Sequence, residues 1–205
     1  MRPRARITFA STIALMFIFI TGLAEAECSL VGVSQVSMNG EHPEWGEWKY
    51  TFTFTWDTGS VYSVSHIDLL LDMSGNCACS EFSSALHWEN PVGSSDGTEP
   101  DCMVPYTAYL ECRGDPSIPD IDSPLLKFEP YESEFCEPGP AGTAVFILYS
   151  DFSPGAIAAD NLFLVDKHGQ LACRGQISGD FPALPCDPTP TWQTSWGQLK
   201  ARYEH

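Results

Sequence analysis

Basic side chains are scarce in this sequence: ten lysines and arginines stand against 27 aspartates and glutamates, a formal charge of −17. That imbalance argues against nucleic acid and anionic membrane surfaces as partners, because both demand a basic face. Long amphipathic helices are also lacking, and 16 prolines and 16 glycines spread along the chain would interrupt them. The histidines His42, His66, His87, His168 and His205 are scattered along the chain, so none is marked by its spacing as the base of a nucleophilic hydrolase. Cys77-Ala78-Cys79 has one intervening residue where zinc knuckles have two to four, and no closely spaced His pair follows it.

The start of the sequence carries a different signal. Arg2, Arg4 and Arg6 precede the apolar run 7–23, and Ala24-Glu25-Ala26 supplies the small-x-small pattern of a signal-peptidase site. Residues 1–26 therefore read as a cleaved signal peptide, and no transmembrane helix is expected after its removal. Cleavage removes three basic residues and one acidic residue, bringing the net charge to −19. The expected location is secreted, extracellular or in a cell envelope.

Eight cysteines, Cys28, Cys77, Cys79, Cys102, Cys112, Cys136, Cys173 and Cys186, all lie beyond that cleavage point. An even number in an exported chain reads as a disulfide framework. Cys77 and Cys79 are too close to pair comfortably, so each is expected to bond a distant cysteine.

From Tyr50 the chain reads Tyr-Thr-Phe-Thr-Phe-Thr-Trp, which places Tyr50, Phe52, Phe54 and Trp56 on one face and Thr51, Thr53 and Thr55 on the other. This period of two is the strongest strand signal in the sequence. The turn residues Asp57-Thr58-Gly59-Ser60 and the β-rich stretch 61–71 after them suggest a hairpin. Residues 29–38 read as an earlier strand. Residues 75–124 read as irregular loops pinned by disulfides, with one helical turn near 80–88. The apolar run 144–149 suits a strand buried on both faces. Residues 161–165 and 171–177, flanking Asp166-Lys-His-Gly-Gln170, read as a second hairpin.

Six or seven short strands without a long helix predict a mostly β fold, an antiparallel β-sandwich held by disulfides. The strand rhythm resembles immunoglobulin-like sandwiches of exported bacterial proteins. The expected organisation is a signal peptide at 1–26, a β-sandwich domain at 27–186, and a Pro/Thr linker with a short tail at 187–205.

Asp57-Thr58-Gly59-Ser60 also resembles the catalytic loop of pepsin-like aspartic proteases. Those enzymes need two carboxylates sharing one proton, and a single copy is present here. Residues 61–66 do not continue the family pattern, and the same four residues are what a turn selects. No catalytic residue is assigned, and a hydrolase built on Asp57 is the alternative to a non-enzymatic reading.

Calcium is the candidate cation, with Asp115, Asp120 and Asp122 in one Pro-rich loop and Asp96, Glu99 and Asp101 in another. No other cofactor is indicated. Trp45, Trp48, Trp88, Trp192 and Trp196 could stack on sugars if exposed. Arg113-Gly114-Asp115 matches the integrin-binding tripeptide. Together these features predict an exported, non-enzymatic surface or interaction module, with an extracellular protein or a glycan as its partner, and a calcium- or carbohydrate-binding domain as the more specific version.

Overall fold

The computed structural model describes residues 28–71, 77–131, 136–156 and 161–182. The expected signal peptide, the linker and tail at 187–205, Cys186, Trp192 and Trp196 lie outside them. The described chain is mostly β, as its composition predicts, but its principal sheet closes on itself.

Two long strands begin the barrel. Strands β1 (Ser29–Met38) and β2 (Trp48–Asp57) pair antiparallel over their full length, from Ser29 opposite Asp57 to Met38 opposite Trp48. Tyr50, Phe52, Phe54 and Trp56 of β2 are all buried, while Thr51, Thr53 and Thr55 face outward, as the alternation predicts. The other edge of β2 is taken by β7 (Ala141–Ser150). The expected hairpin between β2 and β3 (Val64–Leu70) therefore does not form, because both edges of β2 are already occupied; β3 crosses over to pair with β6 (Leu125–Pro130) and β9 (Leu162–Asp166).

The circuit is completed by β4 (Gly93–Asp96), β5 (Met103–Glu111) and β10 (Leu171–Ser178), in the order β1-β10-β9-β3-β6-β5-β4-β7-β2 and back to β1. The expected 161–177 hairpin is present as β9 and β10. A two-sheet sandwich leaves sheet edges; here β10 bonds β1 in parallel on one side and β9 on the other, which turns the expected sandwich into a closed nine-stranded barrel. The parallel seam depends on close backbone approach, since a Cβ on Gly175 would lie 2.1 Å from the Leu30 carbonyl oxygen. Strands β8 (Pro154–Ala156) and β11 (Asp180–Pro182) form a separate small ladder.

Residues 75–124 are more regular than their Pro- and Gly-rich sequence suggests, because they contain β4 and β5. The expected helical turn is the short helix α1 (Cys79–Ala85), whose Glu81 carboxylate accepts the Ala78 N–H at 2.6 Å. Ser150 Oγ donates to the Ala85 carbonyl at 2.7 Å and ties the end of this helix to β7. Strand β7 is not buried on both faces along its length: Val145 is 41% exposed between the buried Ala144 and Phe146.

The barrel interior is filled by rings. Phe146 stacks on Phe128 with centroids 4.2 Å apart and meets Tyr106 at 5.1 Å and Phe54 at 5.3 Å. All four rings are fully buried, so this part of the interior is packed core.

Disulfides join Cys28 to Cys173, Cys79 to Cys112 and Cys102 to Cys136. Cys77 is oxidised as well, so neither member of the Cys77-Ala78-Cys79 pair bonds the other. This framework is compatible with an extracellular location. Among the described residues, no helix is long and apolar enough to cross a membrane.

A second apolar layer lies outside the barrel. Leu70 of β3, Leu125 of β6, and Phe163 and Val165 of β9 form a buried cluster with Ile118 from the loop 112–124. That loop covers the outer faces of three strands, and charged residues on those faces become buried as a result.

Candidate functional site

The chemistry-bearing side chains gather in two places outside the barrel. One is an aromatic groove at the β1–β2 connection, where Asn39 organises the turn. Its Oδ1 accepts the N–H groups of Glu41 at 3.1 Å and His42 at 2.9 Å, and its Nδ2 donates to the carbonyls of His42 and of Gly46, the latter at 2.7 Å. Gly46 has φ 115° and lies against the Ser150 backbone, where a Cβ would come within 2.2 Å of the carbonyl carbon. The 3-10 turn Pro43–Trp45 between these anchors fixes Trp45 at the surface.

Trp45 stacks on His42 with centroids 4.2 Å apart and planes 18° from parallel. It also lies nearly parallel to His87 at 6.4 Å and meets Tyr149 at 5.5 Å. Trp45, Leu86, His87 and Trp88 line a depression of about 240 Å3. Carboxylates surround it: His42 Nε2 lies 2.8 Å from Glu89 and His42 Nδ1 lies 3.5 Å from Glu44. Beneath the rings, Tyr149 donates to Glu41 at 2.9 Å, and Lys49 Nζ reaches both Glu41 oxygens at 2.7 Å. Burial and the Glu41 charge push the Tyr149 phenol up to about 12, so it remains a neutral donor at neutral pH.

Of the tryptophans singled out in the sequence, Trp45 and Trp88 come together in this groove. Trp48 and Trp88 both pack against the barrel core, but only Trp88 also lines the groove. The ring partners His42, His87 and Tyr149 carried no sequence signal, because they come from three separate segments.

The second place is the buried outer face of β3. His66 Nε2 lies 3.3 Å from Asp68 Oδ2 and 3.4 Å from Asp115 Oδ2, with side-chain exposures of 5%, 0% and 3% respectively. Lys127 of β6 donates to Asp115 Oδ2 at 2.9 Å, and the Ser117 N–H donates to Asp115 Oδ1 at 2.7 Å. His66 Nδ1 lies 3.2 Å from Ser65 Oγ. Neither contact of His66 Nε2 is aligned as a hydrogen bond, and this nitrogen and both Asp68 oxygens are buried without a hydrogen-bond partner among the described residues. Burial pushes the Asp68 carboxyl above the ordinary carboxylate range, against the pull of His66 and Lys127. Burial acts in the same direction on Asp115, but the hydrogen bonds from Lys127 and Ser117 and the nearby His66 outweigh it and hold Asp115 low.

The structure separates the expected calcium set. Asp115 points inward to His66, whereas Asp120 and Asp122 are exposed. Asp115 is also the acidic member of Arg113-Gly114-Asp115, and its burial removes it from display to a partner. Asp96, Glu99 and Asp101 line a depression of about 320 Å3 beside Cys102.

Asp57 serves a turn. It is exposed at the end of β2, and its Oδ1 accepts the Gly59 N–H at 2.9 Å. Replacing Asp57 by Ala should therefore cost only about 1 kcal/mol, the worth of one such bond. A thermal melt checks this, and a much larger loss would show that Asp57 has a further partner.

No protein-family model matches the chain, and neither does any curated protein or solved structure.

Proposed function

We propose that this chain is an exported, non-enzymatic binding module whose Trp45–His87–Trp88 groove takes a carbohydrate segment. The observation that carries this reading is the pair of nearly parallel rings, Trp45 and His87, bordering a depression that has Trp88 in its wall and carboxylates nearby. The C–H face of a pyranose ring is apolar and stacks on an indole, while its hydroxyls donate to carboxylates such as Glu89. Such sites combine an apolar lining with a few placed polar groups. The acidic surface excludes polyanionic glycans by repulsion and favours neutral ones.

Retention of the mature protein on immobilised neutral polysaccharides in affinity electrophoresis tests the reading. Trp45→Ala and Trp88→Ala should each reduce retention at least tenfold, while Trp48→Phe should leave it intact. Wild-type retention that survives both groove substitutions would place the glycan elsewhere, and absence of retention on every neutral polysaccharide would overturn the carbohydrate assignment.

A further inference from the structure

We propose that His66, Asp68 and Asp115 bind one divalent transition-metal ion of the zinc class, which clamps the loop 112–124 onto the outer face of the barrel. This inference is independent of the glycan groove. His66 and Asp68 both lie on the outward face of β3, two residues apart, and Asp115 meets them from the covering loop. Their ligand atoms all lie within 4.8 Å of one another.

The distances fit an ion better than hydrogen bonds. A tetrahedral ion held about 2.0–2.1 Å from each ligand spaces neighbouring ligands roughly 3.3–3.4 Å apart. The two contacts of His66 Nε2 are 3.3 and 3.4 Å and are misaligned for hydrogen bonding. Ligands whose lone pairs converge on a common point show this combination of short separation and poor alignment.

The surroundings match as well. Ser65 Oγ can accept a hydrogen bond from a protonated His66 Nδ1, the tautomer that leaves the Nε2 lone pair free toward the carboxylates. Lys127 neutralises Asp115 but donates no hydrogen bond to Asp68, whose two oxygens are buried without a hydrogen-bond partner among the described residues. A buried carboxylate in that condition is costly unless a cation compensates it. One imidazole and two carboxylates suit zinc, whereas calcium takes six to eight oxygen ligands. All three side chains are closed to solvent, so the ion would enter as the loop folds over β3, which couples binding to loop closure.

The test uses the mature protein with its disulfides intact, unfolded in guanidinium, stripped with chelator and refolded with or without zinc. Elemental analysis after desalting should find one zinc per chain, and the zinc-refolded protein should melt several degrees above the metal-free one. Refolding with cobalt(II) should give the intense visible bands of a tetrahedral site. Asp68→Asn should abolish both signals, and Asp120→Asn should retain them. If Asp68→Asn does not fold, the comparison of loaded and stripped wild-type protein decides alone. Background zinc together with superimposable melts would overturn the proposal, and so would stoichiometric zinc that survives Asp68→Asn.

Discussion

Replacing Cys28 and Cys173 together by serine should cost about 5 kcal/mol of stability, the largest loss expected from removing any of the three described disulfides. The bridge closes a loop of 145 residues, against 33 and 34 for the other two, and the entropy a crosslink removes from the unfolded chain grows with loop length. The same relation gives about 3.7 kcal/mol for each shorter loop. Cys28 precedes β1 and Cys173 lies in β10, so this bond also spans the parallel seam that closes the barrel. For a chain of this size the loss corresponds to a fall of roughly 10–20 °C in melting temperature. Calorimetry of the three paired-serine variants checks the ranking, and a Cys28/Cys173 variant more stable than either of the others would contradict the chain-entropy account.

Phe146→Ala should lower stability by about 3–5 kcal/mol, the range for emptying a large aromatic from a packed core. Phe146 touches rings from three other strands, Phe54 of β2, Tyr106 of β5 and Phe128 of β6, so its removal leaves a void bordered by side chains that cannot all move inward. Phe146→Leu refills much of that volume and should recover more than half of the loss. Denaturant unfolding followed by tryptophan fluorescence measures both. A loss below about 1 kcal/mol for the alanine variant would mean that the barrel collapses readily around the space. If the groove takes a glycan as proposed, retention at 10 °C should survive either change, because none of the rings in contact with Phe146 lines the groove.

Much of the fold was legible in the sequence where the chain alternates cleanly. Tyr50 to Trp56 announced β2, and residues 29–38 coincide with β1. The turn Asp166–Gln170 located the β9–β10 hairpin. What failed was partner choice. Asp57-Thr58-Gly59-Ser60 has hairpin chemistry, but which strand takes an edge depends on contacts far away in sequence, and β1 and β7 had already claimed β2. Closure was hidden for the same reason: a parallel contact between β1 and β10 leaves little local mark beyond glycines such as Gly32 and Gly175, where the two strands come close.

The candidate sites were legible only in pieces. Trp45 and Trp88 stood out as aromatics, and Asp115 as part of an acidic loop. His66 and Asp68, in a stretch of ordinary β character, gave no signal, since their burial comes from the loop 112–124 folding over a face that strand periodicity assigns to solvent. Spacing along the chain grouped Asp115 with Asp120 and Asp122; the fold groups it with residues almost 50 positions earlier.

The β1–β10 seam also dictates an order of events. β1 can form its ladder with β2 as soon as both have emerged, but its other edge must wait for residues 176–178, which are made nearly 150 residues later. Until then the barrel is an open sheet with β1 exposed, and Cys28 has no Cys173 to meet. Closure is therefore a late, long-range step that comes after most of the chain has been made, and the interval before it is when mispairing of cysteines and edge-to-edge association between chains are most frequent.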